Sequence, residues 1–397
     1  MGRARLLWHL KSAPTGFDHW EVLPGQGHYY NPDFKTAEGT HRREGYVTDI
    51  ITDLALDWLK DERDPDKPFL MMVQHKAPHR EWMPGPDHHH LFEGQDLPEP
   101  ATLFDDHGGR ASAAAESEMS VASHLWEFYD LKVEPEEGAE LSGPDRWARG
   151  RLERMTPEHR AAWDAAYGPR NAAFRESAPT GDDLVRWKYQ RYMKDYLRCV
   201  AAVDDGIGEL LDALDELGLA ENTLVVYSSD QGFYLGDHGW YVKRWMYEES
   251  LRMPFVARWP GAIEPGLRED RLAQNIDFST FLDAAQVEAG MATHGMSLMP
   301  LMTQAPASSW RDAVYYHYTE YPQPHRVARH CGVRTERYKL ISYYERGELF
   351  DLATDPDERR SVHDDPDFAS IRDGLTRRLR ELQREYGDPV SLPARED

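Results

Sequence analysis

Cysteine is nearly absent from this chain: two residues in 397 leave no disulfide framework. Long apolar runs are missing as well. No stretch approaches the ~18 residues a membrane span needs, so none is expected. Basic charge is scarce beside acidic, 46 Lys and Arg against 70 Asp and Glu, for a formal net charge of -24. That balance excludes the basic surface that nucleic-acid backbones require and fits a solvated acidic exterior. Internal repeats are not found. The opening residues, Met1 to Leu10, are basic and apolar but lack a small-residue cleavage site, so no signal peptide is expected in this chain. Export of a longer form, to a periplasm or outside the cell, is left open. What is present is enough chain to bury a substantial core, as one large or two moderate domains.

The periodicities predict an α/β protein. Tyr46 to Lys60 has helical spacing, with Thr48 or Asp49 as its cap. Phe69 to Val73 is a short apolar run expected to be a core strand, ending in the polar string Gln74 to His79. Residues from about 83 to 178 are rich in Pro, Gly, Ala and charge, and are expected to be an insertion of loops and short helices. A long helix is predicted from Gly181 to Leu219, ended by Gly218, and it feeds a strand at Thr223 to Ser229. That β-branched run suits a buried parallel strand, whose carboxyl end is where ligands gather. Strands at 313–318, 331–334, 338–342 and 347–350 alternate and are separated by turn residues, as an antiparallel sheet does. An amphipathic helix closes the chain from Phe368 to Tyr386, with Ile371, Leu375, Leu379 and Leu382 on its apolar stripe. Cys199 and Cys331 are expected to be core residues. His88 to His90 is expected to be a solvated loop rather than a metal site.

One segment carries most of the chemistry. At the end of the strand at Thr223 stand Asp230, a carboxylate, and Gln231, an amide oxygen, followed by Gly232 where the backbone turns. Oxygen donors of this kind suit a hard cation such as Ca²⁺ or Mg²⁺, although an isolated Asp-Gln-Gly also suits a plain turn. The rest of the segment decides between them. Ser229-Asp230-Gln231-Gly232, Leu235-Gly236-Asp237-His238-Gly239, Lys243 and Tyr247-Glu248-Glu249-Ser250-Leu251-Arg252-Met253-Pro254 together resemble the second metal-binding segment of the sulfatases of the alkaline-phosphatase superfamily. Trp8-His9-Leu10, Gly16-Phe17-Asp18, Lys67 to Trp82 and Leu349-Phe350-Asp351-Leu352 agree in order. Gln74 to Trp82, with Gly27 to Asp33 upstream, is similar to the branch that holds the N-acetylglucosamine-6-sulfatases.

The resemblance implies an alkaline-phosphatase-like α/β/α sandwich with a mixed sheet over residues 1–309 and a small antiparallel α+β subdomain over 310–397. It implies one divalent cation, Ca²⁺, held in part by Asp230 and Gln231. Lys243 is implied to contact the sulfate, His79 to be the acid for the leaving oxygen, and His9 to support the nucleophile. His238 is implied either to contact substrate or to brace its loop, and Lys76 to add positive charge for an anionic substrate. Two parts of the family pattern are missing from the amino-terminal residues: the acidic pair that completes the metal site, and the Cys/Ser-x-Pro-x-Arg segment whose first residue becomes formylglycine. No Ser-x-Pro-x-Arg segment is expected to substitute. The expected function is therefore hydrolysis of sulfated carbohydrates, of N-acetylglucosamine-6-sulfate or glycosaminoglycan type, impaired in this chain by an incomplete metal site and an absent nucleophile. The alternatives are a non-catalytic or glycan-binding sulfatase-fold remnant, and a phosphodiesterase or phosphonate hydrolase of the same superfamily.

Overall fold

The computed structural model describes residues 13–388, except 289, 291, 306–308, 323 and 344–346. They form two compact units, the first of residues up to Pro98 with Leu125–Leu219, the second of Glu99–His124 with Ala220 onward.

In the first unit a short ribbon, β1 (Asp33–Thr36) and β2 (Gly39–Arg42), precedes the helix Val47–Asp57. Tyr46 occupies the N-cap, with no side-chain cap, where Thr48 or Asp49 was expected. The helix starts earlier than expected, so Thr48 and Asp49 lie inside its first turn, past the position from which a side chain can cap it. The long helix Gly181–Glu216 buries Tyr189, Tyr192, Met193, Cys199, Ala202 and Val203 along one stripe. It approaches Val47–Asp57 at Gly206, where an added Cβ would sit 2.3 Å from Thr52 Oγ1. Only glycine permits that crossing. The helix ends as predicted, with Gly218 at φ 67° and Leu219 N–H donating to the Leu214 carbonyl. Part of the expected insertion is more regular than predicted, since Pro157–Ser177 is a 21-residue helix capped by Thr156. His88 and His89 are structural: His88 pairs with Asp205 at 2.8 Å, and His89 packs edge-on against Trp163 and Tyr167.

The expected strand at Phe69 to Val73 is corrected. The segment is extended but makes no ladder among the described residues, and Leu70 and Met72 are 63% and 57% exposed. A strand exists only through its partners, and an apolar run cannot name them.

In the second unit β3 (Val225–Ser228) pairs antiparallel with β6 (Phe255–Arg258), not parallel as expected. The hairpin β4 (Tyr234–Leu235) and β5 (Tyr241–Val242) lies between them in sequence. Four strands, β7 (Ala313–Tyr318), β8 (His330–Thr335), β9 (Tyr338–Ser342) and β10 (Gly347–Asp351), form an antiparallel sheet in the order 10-9-8-7. One face packs Ala313, Cys331, Val333, Leu340 and Leu349 against Leu375, Leu379 and Leu382 of the terminal helix Ala369–Glu385. On β9, the fully buried Lys339 bonds Glu248 at 2.8 Å and Glu358 at 2.7 Å, tying the sheet to the segment that follows Lys243.

Candidate active site

In the second unit the chain after β3 turns through Asp230, Gln231 and Gly232. Gly232 N–H donates to the Ser250 carbonyl at 3.0 Å, and a Cβ on Gly232 would lie 2.1 Å from the Glu249 carbonyl oxygen. The glycine is required because the Asp-Gln turn is pressed onto the backbone of the Tyr247–Pro254 segment. These two parts of the sequence pattern are thus one packed object. The β4–β5 register sets Tyr234 opposite Val242, which puts Lys243 across from Phe233, and its Nζ lies 5.8 Å from that ring's centre. Burial lowers the Lys243 pKa and the charge of Asp230 opposes that shift, so ammonium and carboxylate act on each other. Asp230 is exposed; its carboxylate accepts weakly from Ser229 Oγ (3.4 Å) and Gln231 Nε2 (3.3 Å), and Asn275 Nδ2 donates to its carbonyl.

The backbone that delivers Lys243 is strained and clamped. His238, Val242 and Arg244 have φ of 56°, 69° and 115°, a region costly for a β-branched residue. Arg244 N–H donates to Ser250 Oγ at 2.9 Å and Tyr316 Oη donates to the Arg244 carbonyl at 2.8 Å, holding the lysine from both sides of the turn.

His238 is the brace of this loop. It is 1% exposed, with Nδ1 3.2 Å from Asp105 and Nε2 3.4 Å from Glu249. Burial lowers its pKa, but the hydrogen bonds to Asp105 and Glu249 prevail and raise it to about 9. The raised value favours the charged ring, while Arg110 Nη1, 2.9 Å from the same Nδ1, acts against it. Arg110 bonds the same Asp105, whose carboxyl is held well below the usual range because these two hydrogen bonds outweigh the opposing effect of burial. Glu249 stood in the quoted motif without a role of its own, and Asp105 and Arg110 were not singled out by sequence reasoning. Residues 99–124 lack periodicity, and nothing in them marks an ion pair with a loop 130 residues away.

In the first unit the string Gln74 to His79 forms a second polar cluster. His79 donates from Nδ1 to the Arg80 carbonyl at 2.7 Å, and Tyr29 Oη donates to the His79 carbonyl at 2.6 Å. Lys76 is buried, with Nζ 4.4 Å from the Tyr29 ring centre. Burial pulls its pKa down to about 8, with Glu81 opposing. Glu81 takes both bonds from Arg151 Nε (2.9 and 2.8 Å), and Arg151 reaches His28 at 2.8 Å. His28, Glu81 and Arg151 are further polar members that no local signal separated from solvated residues.

His9 lies outside the described residues. The other candidates are thus brought together as two sets, Lys76 with His79 in the first unit, and Asp230, Gln231, Lys243 and His238 in the second. Among the described residues, no group of three or more His, Cys, Asp or Glu side chains converges as a metal cluster. Asp230 and Gln231 are oxygen donors suited in kind to a hard cation, yet Ca²⁺ takes about six to eight oxygens, so the described donors fall short in number.

Neither thiol is exposed. Cys199 and Cys331 are 0% and 2% exposed, and burial pushes them up to about 12 and about 11. The spacing Ser-x-Pro-x-Arg does occur, which corrects the expectation that the chain lacks it. At Ser142-Gly-Pro-Asp-Arg146 it is a helix start: Ser142 caps Gly143–Leu152, its hydroxyl donating to Asp145 at 2.6 Å and accepting from Asp145 N–H at 3.2 Å. The motif's own residue types, Ser at the cap and Pro in the first turn, are also the helix-start signature. The second occurrence, Ser391-Leu-Pro-Ala-Arg395, lies outside the described residues.

Comparison with known proteins gives the family. Residues 2–287 match the sulfatase family model, and residues 236–385 match that of the N-sulphoglucosamine sulphohydrolase C-terminal region. An N-acetylglucosamine-6-O-sulfatase of Bacteroides thetaiotaomicron is 46% identical over 392 residues, covering 96% of this chain and 70% of the relative. Human N-acetylglucosamine-6-sulfatase is 26% identical over 318 residues, or 78% of this chain, which spans about half, 46%, of that relative's length. A solved structure of a protein in complex with its substrate D-glucosamine-2-N,6-O-disulfate superposes with a TM-score of 0.90 at 43% identity, covering 96% of this chain and 79% of that one. The fold is therefore the expected alkaline-phosphatase-like α/β class with a C-terminal antiparallel sheet, and the chain belongs to the sulfatase family.

Proposed function

We propose that this chain binds and hydrolyses sulfate esters of carbohydrates, of the 6-sulfated glucosamine type. The single observation that carries the reading is the folded unit of Asp230, Gln231, Gly232 and Lys243. Gly232 is packed onto Glu249 and Ser250 so that the oxygen donors and the lysine ammonium lie within electrostatic reach of each other. The likeness to relatives named as N-acetylglucosamine-6-sulfatases supports the substrate class.

In this reading Lys243 pairs with a sulfate oxygen, where burial makes a charge-assisted hydrogen bond stronger than it is in water. His79 holds its Nδ1–H on the Arg80 carbonyl, so Nε2 can take up a second proton, and the imidazolium then gives that proton to the leaving sugar oxygen and returns to the neutral ring. A divalent cation, Ca²⁺ in the family, would be held in part by Asp230 and Gln231 and would draw charge from the sulfuryl oxygens. His238 acts through the backbone that positions Lys243, not on substrate. The covalent nucleophile is not assigned among the described side chains.

Calorimetry with N-acetylglucosamine-6-sulfate tests the reading. Binding is expected in the wild type, and Lys243→Ala is expected to weaken it about tenfold or more, the scale of one charged hydrogen bond. Equal affinity for sulfated and unsulfated sugar, or no loss in the variant, would overturn it.

A further inference from the structure

Among the described residues, two tryptophans of the first unit are exposed. Trp126 is 38% exposed and Trp147 57% exposed, and they face each other with ring centres 6.0 Å apart. Tyr129 completes the group, 5.6 Å from Trp126 and 6.4 Å from Trp147. Two exposed tryptophan rings in contact, with the half-buried Tyr129 beside them, are costly unless something covers them.

The base of this group is rigid. The Arg80 guanidinium carbon lies 4.6 Å from the Trp126 ring centre and 5.5 Å from that of Tyr129. Arg80 is itself fixed by two bonds to Asp130, from Nε at 2.7 Å and from Nη2 at 2.6 Å, and Trp126 N–H donates to the same Asp130 at 2.8 Å. The Tyr129 hydroxyl bonds Glu81, the carboxylate held by Arg151. Trp147 stands on the helix Gly143–Leu152, whose start is fixed by the Ser142–Asp145 capping box. Both anchored arms therefore end on rings whose outer surfaces meet solvent.

The neighbourhood identifies the ligand. Arg80 follows His79 in the chain and supplies the carbonyl that fixes its tautomer, so platform and candidate acid share one residue. Resting on the reading of a sugar substrate given above, we propose that Trp126, Tyr129 and Trp147 form a binding platform for a further, unsulfated pyranose ring of a glycan chain. A pyranose offers a face of C–H groups that lies flat on an aromatic ring, while its hydroxyls stay at the rim in water. The platform makes the protein a reader of oligosaccharides rather than of monosaccharides alone.

The test compares a 6-sulfated N-acetylglucosamine monosaccharide with a tri- or tetrasaccharide bearing the same sulfated end, by calorimetry, in the wild type and in Trp147→Ala, Trp126→Ala and the ring-preserving Trp147→Phe. Tighter binding of the longer ligand is expected, by about three- to tenfold, the range that single aromatic contacts span. Both alanine variants should lose that gain while keeping monosaccharide affinity, and Trp147→Phe should retain much of it. Because Trp147 is on the surface, its variants should melt with the wild type. A length gain that survives Trp147→Ala overturns the platform, as does a wild type that binds both lengths equally with Lys243-dependent affinity; the second outcome leaves the sulfate-binding reading intact. Failure of the monosaccharide to bind, with the longer ligand still bound through the tryptophans, would instead overturn the sulfate reading and keep the platform. A change of sedimentation coefficient in Trp147→Ala, without any loss of length gain, would assign the rings to contact with a second copy and overturn the proposal.

Discussion

The C-terminal sheet and the β3–β6 ribbon are both antiparallel, yet they differ in what their side chains face. In the sheet, Val333, Leu340 and Leu349 are 0 to 4% exposed under the terminal helix. In the ribbon, Tyr227 and Val256 are 40% and 61% exposed, and in the extended run at 69–73 Leu70 and Met72 are 63% and 57% exposed. Strand-forming residues therefore do not by themselves make a core. A strand buries its side chains only when another layer lies over it, and stability concentrates where that layer exists.

The largest expected effect comes from breaking the covered side of this contrast. Val333→Asp puts a carboxylate without a partner between sheet and helix, at a cost of about 4 kcal/mol or more. Thermal unfolding followed by circular dichroism should show the C-terminal unit lost at ambient temperature. A shift of only a few degrees would mean that the helix does not seal the sheet.

The same contrast explains what the sequence revealed. The four C-terminal strands and the terminal helix were legible within a residue or two, since their partners are close along the chain and their period-two alternation reports one covered face. The 181–216 helix was legible for the same reason, with ten turns of periodic burial ended by a glycine. The ladder at 69–73 and the direction of β3 were not. Both depend on which distant segment pairs with them, and that information is not local. In the site, Asp230, Gln231 and Lys243 were visible because one contiguous segment carries them. Asp105, Arg110 and Arg151 were not, because a surface arginine and a buried one look alike until a remote carboxylate is placed beside them.

A second way to sharpen the comparison is to disturb the point where the ribbon meets the site. Gly232→Ala places a methyl group against the Glu249 carbonyl, backbone against backbone, so no rotamer change relieves it. A destabilisation of about 1–3 kcal/mol is expected, together with weaker binding of sulfated sugar, as the loop carrying Asp230 shifts from Lys243. Urea unfolding and calorimetry on the same sample check both. Unchanged stability and affinity would show that the turn is not pressed on the Tyr247–Pro254 segment.

The third effect depends on pH. His238 is held charged, with its pKa raised from 6.5 to about 9, so its stabilisation is fully present below about pH 6.5 and is lost as pH rises through 9. His28 and His75 of the first unit are pushed the other way, to about 4, chiefly by burial. Their contribution is present above about pH 6.5 and is lost as pH falls toward 4. His238→Gln should cost on the order of 2–3 kcal/mol at pH 6 and much less at pH 9.5. Unfolding free energies of wild type and variant that differ equally at both pH values would show that His238 is a neutral spacer.

The smallest effect is expected at the uncovered run, and it decides whether the contrast with the sheet is real. Met72 has the residue type of a core strand but is 57% exposed and makes no ladder among the described residues. Met72→Gln should change unfolding free energy by no more than about 0.5 kcal/mol, the usual range for a surface position. It should also slow concentration-dependent aggregation, because an exposed apolar edge is a template for pairing with other chains. Urea titration and light scattering at rising protein concentration measure the two quantities. A loss of about 2 kcal/mol in Met72→Gln, near that of a buried methionine, would mean that a layer covers this run and that it belongs with the sheet rather than with the ribbon.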